Sequence, residues 1–184
     1  SGLMEEMEEK GRATLLEDRV VLWEREASRR LHEIGFYGKP VGERLQLSLV
    51  ESAYLLDRGL LSLMDRSGKE LDRESFADRA RQIEADFDLK FRVYSDLREK
   101  RMVVKTGFKF GSHFRVYKQV HGPEKVPHSD YLVHTLPADH IFLPPVLSRA
   151  VRLAHSVRKS MIFAYPLEGE DHLVSYLEIK RLKP

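Results

Sequence analysis

The chain has no cysteine among its 184 residues. Disulfides, thiolate zinc sites and cysteine nucleophiles are therefore excluded. No apolar run approaches the ~20 residues that a membrane-spanning helix needs. The charged start, MEEMEEKGR, has none of the apolar stretch of a signal peptide, and Ser1-Gly2-Leu3 ahead of Met4 reads as an expression remnant. The expected compartment is the cytoplasm, with no membrane partner. Internal repeats, low-complexity tracts and Pro/Gly/Ser-rich linkers are also missing, so no composition shift marks a domain boundary.

What is present is a globular balance of 42% hydrophobic and 33% charged residues. A chain of this length buries one good core or two small ones. The net charge of +2 conceals an asymmetry. Residues 1–100 hold 18 Lys/Arg against 22 Asp/Glu, whereas residues 101–160 hold 10 against 3. The basic block is what a polyanion-binding surface requires, because neutralised phosphates supply most non-specific nucleic-acid affinity. An ordinary solvated basic face reads the same way from charge alone.

Periodicity predicts a strand at 19–23, a helix at 24–34 broken by Gly35 and by Gly38-Lys39-Pro40, and a strand at 45–49. A short helix at 50–58 stopped by Gly59 and a strand at 60–64 follow. Asp72 or Ser75 would cap a helix over 76–87, and a second helix at 89–100 leads into a Gly-punctuated hairpin, VKTGFKFGSHFRVYK (104–118). Pro144 and Pro145 open an amphipathic helix with Leu147, Ala150, Val151, Ala154 and Val157 on one face. Met161–Tyr165 reads as a short buried strand. The acidic loop PLEGED (166–171) precedes a last strand at 173–179, apolar enough to be either a core strand or an edge covered by a partner. The expected class is α+β: a mixed α/β N-terminal domain over 1–85, then a second domain over 86–184 with a mixed sheet flanked by helices.

Five histidines, His113, His121, His128, His134 and His140, fall within 28 residues. Their spacing fits no HxxxH or HExxH helical pair, and scattered surface histidines explain them as well as a metal site does. Taken singly, a strand-end tyrosine is most often core, a loop histidine solvated, and a lysine closing a helix a complement to its dipole.

Three separated blocks, KTGFKFGSHFRVY, HSDYLV and RAVRLAHSVRK, together resemble the catalytic domain of the archaeal tRNA-splicing endonucleases, the tRNA-intron lyases. The likeness is strongest over residues 87–165 and continues more weakly through LSLVESAYLLDRG (47–59). It implies a restriction-nuclease-like second domain whose catalytic residues are Tyr117 (ending FRVY), His128 (of HS-x-YLV) and Lys159 (ending HSVRK). In the family's scheme the tyrosine takes the 2′-hydroxyl proton, the histidine protonates the leaving 5′-oxygen and the lysine stabilises the phosphorane. No cofactor and no metal are implied.

The resemblance also implies a partner and an assembly. The substrate would be precursor tRNA, cut at a bulge–helix–bulge, with Arg152 clamping a flipped base and Lys180 or Arg181 supplying the second cation. Glu168, Glu170 and Asp171 would form an acidic assembly loop in a homotetramer, or in a heterotetramer with a structural subunit. Two other readings stand beside this one: a non-catalytic RNA-binding subunit of the same assembly, and a metal-dependent nuclease using the histidines with Asp130 or Asp139.

Overall fold

Side chains alternate between core and solvent along β1 (Gly11–Leu16), which pairs antiparallel with β2 (Arg19–Leu22), itself buried from Val20 through Leu22. Ala13, Leu15, Val20 and Leu22 are buried. This is the period-two pattern of a sheet with one face on a core. The computed structural model describes residues 10–107, 113–118, 130–169 and 173–184. It divides into two compact units between Phe91 and Arg92.

The first unit continues with α1 (Arg25–Gly35), β3 (Lys39–Val41), β4 (Arg44–Leu47), α2 (Leu49–Asp57), β5 (Leu61–Met64), β6 (Glu70–Leu71) and α3 (Arg73–Ile83). Its sheet runs β3-β4-β2-β1-β5-β6, with β1 parallel to β5 and every other pair antiparallel. Ser48 caps α2 through a reciprocal capping box with Glu51. The buried Glu51 carboxylate also accepts the Gly38 N–H at 2.8 Å. That bond ties the tight turn at Gly38 (φ 73°) to the helix start.

Three expectations need correction. Gly11–Leu16 is a strand, where periodicity predicts none before residue 19. Lys39–Val41 is a strand rather than a break: β3 lies at the sheet edge, where Pro40 is tolerated. The helix capped by Asp72 ends at Ile83, and Phe87 opens the next one, packing edge-on against Phe76.

The helix α4 (Phe87–Glu99) runs across the division. The second unit adds β7 (Val103–Thr106), β8 (Phe114–Tyr117), β9 (Tyr131–Thr135), α5 (Pro144–Ser156), β10 (Ser160–Pro166) and β11 (Val174–Ile179). Its sheet runs β11-β10-β9-β8-β7, and only β9 and β10 are parallel. Register places Leu132, Met161 and Phe163 on one face, where α5 buries Val151 and Ala154 against them. Leu147, Ala150 and Val157 pack around that cluster. On the other face Val104, Val116 and Val133 line up, with Tyr94 against Phe114. Both units are α+β, and no helix among the described residues is long and apolar enough to cross a membrane.

Asp130 joins three strands at one end of this sheet. Its N–H donates to the Val116 carbonyl at 2.9 Å and its carbonyl accepts the Ser160 N–H at 3.3 Å. Its carboxylate accepts the Lys118 N–H at 2.9 Å. Removing the carboxylate with Asp130→Ala should speed hydrogen exchange at the Lys118 amide roughly 5- to 10-fold, the equivalent of one net hydrogen bond. Asp130→Asn, which keeps an acceptor, should stay near the parent. Unchanged exchange in the alanine variant would show that the carboxylate does not order this end.

Candidate active site

The strand ends decide where the candidate residues fall. β8 finishes at Tyr117, β9 begins at Tyr131 just after Asp130, and β10 begins at Ser160 just after Lys159. Because β8 runs antiparallel to β9 while β10 runs parallel to it, these three termini share one end of the sheet. Tyr117 and Lys159 thus stand at the same end, in strands on either side of the Asp130 strand. Neighbouring strands lie ~4.8 Å apart, so the two backbones are separated by roughly 10 Å. That leaves room for a phosphate between two long side chains.

Tyr117 is largely enclosed, at 9% exposure. Its register partner is Val103, which puts it on the same face as Leu132 and α5. Lys159 is half-buried and held at the helix exit, its N–H bonded to the Ala154 carbonyl at 2.9 Å. Arg158 before it takes the left-handed conformation (φ 59°) that turns the chain from helix into strand. His128 lies outside the described residues.

The last strand brings two more cations to this end. β11 is antiparallel to β10, with Met161 opposite Ile179, so Lys180 and Arg181 leave the sheet beside the entry to β10. Both are exposed, and Lys180 pairs with Glu178 at 3.2 Å. Lys180, and after it the Ser160 hydroxyl, hold the Glu178 carboxyl below its usual range. Lys118 sits over the Tyr131 ring at 5.2 Å, and Tyr131, Asp130 and Glu178 favour its charged form. Arg152 projects from the exposed side of α5, about two helical turns before Lys159. The ring-clamping pair implied by the resemblance thus divides between a helix face and a strand end.

Glu168 lies in the β10–β11 turn, at the far end of the sheet. Glu170 and Asp171 lie outside the described residues. β11 is the sheet edge, and Leu173 just before it and Leu177 within it are exposed. Sequence reasoning missed the role of Asp130 as a strand junction. It was weighed only as a metal ligand, and its signal is backbone pairing, which no short motif encodes.

The histidines do not gather into a metal site among the described residues. His113 uses Nδ1 to accept the Thr135 N–H at 2.9 Å and stacks on His134 at 4.4 Å. His140 stands edge-on to Phe142. Asp139 follows β9 and Asp130 precedes it, so these carboxylates lie at opposite strand ends. His121 lies outside the described residues.

Two family models match the chain. Residues 11–77 fit the tRNA intron endonuclease N-terminal domain, and residues 87–176 fit its catalytic C-terminal domain. Among curated proteins, a "tRNA-splicing endonuclease" of Methanococcoides burtonii is 57% identical over 172 residues, 93% of this chain and 48% of the relative. One from Methanosarcina mazei is 54% identical over 175 residues, 95% of this chain and 49% of the relative. The chain therefore spans about half the length of these relatives. A third, from Hyperthermus butylicus, is 41% identical over 184 residues, covering 94% of this chain and 99% of the relative. On these matches, and with both of its domains present in order, the chain belongs to the tRNA intron endonuclease family.

Proposed function

We propose that this chain carries an active site that cuts precursor tRNA at bulge–helix–bulge junctions by transesterification. The observation that supports this most is the shared sheet end of Tyr117 and Lys159, flanked by Lys118, Lys180 and Arg181. The 2′-oxygen attacks the adjacent phosphorus as its proton passes to Tyr117, and the bond to the 5′-oxygen breaks as His128 protonates it. A 2′,3′-cyclic phosphate and a 5′-hydroxyl result. Histidine titrates near ~6.5, which suits the acid. A tyrosine, near ~10, is a poor base unless neighbouring cations lower its pKa. Lys159 supplies fixed positive charge where the phosphorane gains negative charge. Arg152, with Lys180 or Arg181, takes hold of a splayed bulge base.

Two cuts in one RNA need two sites at a fixed spacing, so the functional unit contains at least two active sites. β11 is the natural contact between second units, since an apolar edge strand demands cover. The loop bearing Glu168, Glu170 and Asp171 then docks against a basic surface in a neighbouring pair, giving a homotetramer or a heterotetramer in the cytoplasm.

Three outcomes test this reading. His128→Ala should slow single-turnover cleavage roughly 10²- to 10⁴-fold with RNA affinity nearly unchanged, since the acid acts in the transition state. Near-normal cleavage in that variant would remove His128 from the mechanism. Cleavage should survive excess EDTA on RNA that stays folded, because in this reading Lys159 supplies the charge that a divalent ion supplies in a two-metal nuclease; loss of activity there favours the metal-dependent reading. Reversing Glu168, Glu170 and Asp171 to lysine should halve the assembly's mass by light scattering and collapse cleavage of bulge–helix–bulge RNA. A full-size, fully active assembly would leave the loop as ordinary surface.

A further inference from the structure

We infer that the solvent face of the six-stranded sheet in the first unit is a second RNA-contacting surface, binding the phosphate backbone of the substrate outside the cleavage site. The inference rests on the reading of the chain as an RNA-cutting protein, and the strand register carries it. Opposite the buried face of Ala13, Leu22, Leu45 and Leu63, register aligns Thr14 with Val21, Val21 with Gln46 and Gln46 with Lys39. Val41 lies opposite Arg44, and Arg12 opposite Ser62.

The charged residues of that face are Arg12, Arg19, Lys39 and Arg44, with Glu70 alone of opposite sign, on the far edge strand β6. All five are exposed. Arg19 is engaged by Asp18 at 3.0 Å. No ion pair involves Arg12, Lys39 or Arg44 among the described residues. A sheet face that merely faces water should draw its charges from the surrounding composition. Here residues 1–100 hold more acids than bases, yet the face holds four bases and one acid.

Trp23, the chain's only tryptophan, stands on this face at 44% exposure. Its indole N–H donates to the Thr14 hydroxyl at 3.2 Å, and the Arg44 guanidinium lies over its ring at 4.7 Å. An exposed large aromatic braced by a cation, set among spaced cations and the neutral polar groups of Gln46 and Ser62, is what a backbone-tracking surface offers RNA. The cations neutralise phosphates and the aromatic lies against a base or sugar, while the face's one carboxylate, Glu70, stays on the far edge strand and Asp18 engages only Arg19. A protein partner rich in acidic groups would meet the same charges, but gains nothing from an indole whose polar edge is already satisfied.

Trp23 makes the test direct. The full chain is titrated with an intron-containing precursor tRNA carrying 2′-deoxy residues at the junctions, so that no cut can occur. Trp23 fluorescence should change with saturation. The variant Arg12→Gln/Lys39→Gln/Arg44→Gln should lower the slope of log affinity against log salt by roughly 2–3 and weaken binding on the order of 10-fold. Its single-turnover rate on saturating unmodified RNA should match the parent. Arg12→Gln/Lys39→Gln, which leaves the Trp23–Arg44 contact in place, guards against misfolding and should show a proportionate part of the effect. Unaltered fluorescence with RNA bound, or an unaltered salt slope in both variants, would overturn the proposal. So would a change in solution mass with RNA binding intact, which would assign the face to a protein contact. If the parent binds with the expected slope and fluorescence change yet cuts no RNA, the cleavage reading fails while this surface stands.

Discussion

The parallel pairing of β9 with β10 is the constraint on which the rest of the second unit depends. Parallel neighbours cannot be joined by a tight turn, so the chain must leave one end of the sheet, cross a face and re-enter at the other. The crossover here is α5, whose buried stripe supplies the cluster against Leu132, Met161 and Phe163. The same crossing forces both strands to begin at one end. Since β8 is antiparallel to β9, its last residue arrives there too. Topology alone therefore assembles Tyr117, Asp130 and Lys159 from positions scattered over more than forty residues of sequence.

Placement at strand ends also suits the chemistry. A side chain inside the sheet would be sealed under α5 or α4, whereas a strand-end residue keeps one foot in the core and its polar tip toward solvent. Tyr117 is enclosed on the α5 side, while Lys118 beside it is exposed. Lys159 leaves a helix C-terminus, where carbonyl partial charges favour cations and the first strand residue fixes direction. On the opposite face lies a cleft of about 380 Å³ lined by Leu97, Met102, Val133 and Ile162. Tyr176 closes one side of it through a short hydrogen bond to Asp96. Burial, with that carboxylate, raises the phenol's pKa, so Tyr176 serves as a neutral donor and a brace between β11 and α4.

Much of this architecture was legible in the residues. The Gly-punctuated hairpin, the proline start of α5, its apolar stripe and the presence of a last strand all follow from local rules, whereas that strand's place at the edge comes from pairing. The three-block resemblance named the candidate residues, and the register shows that two of them share a sheet end. What local rules missed has a common cause. Lys39–Val41 is a strand only because β4 is there to pair with it, and Pro40 removes any intrinsic preference. Gly11–Leu16 follows an acidic run and gains its strand character from β2 and β5. Asp130 shows the same limit at the site: its hydrogen bonds reach Val116, Lys118 and Ser160, distances along the chain that periodicity cannot see.

Charge shows why composition and surface have to be read separately. By count the first hundred residues are acidic and the next sixty basic, which points to the second unit alone as the polyanion-binding part. Strand alternation sorts charges differently from counting them. In the first unit many acids sit in helices and turns, paired locally as Glu26 and Glu33 are with Arg29, or Asp78 and Asp88 with Arg81. Such exposed pairs contribute little stability, but they cancel their own field within a few ångströms. The outer strand positions hold Arg12, Lys39 and Arg44 with no such cancellation among the described residues. A polyanion approaching this unit meets the local field of a face rather than the net charge of the sequence around it. A domain with an overall negative balance can therefore present a surface that attracts RNA.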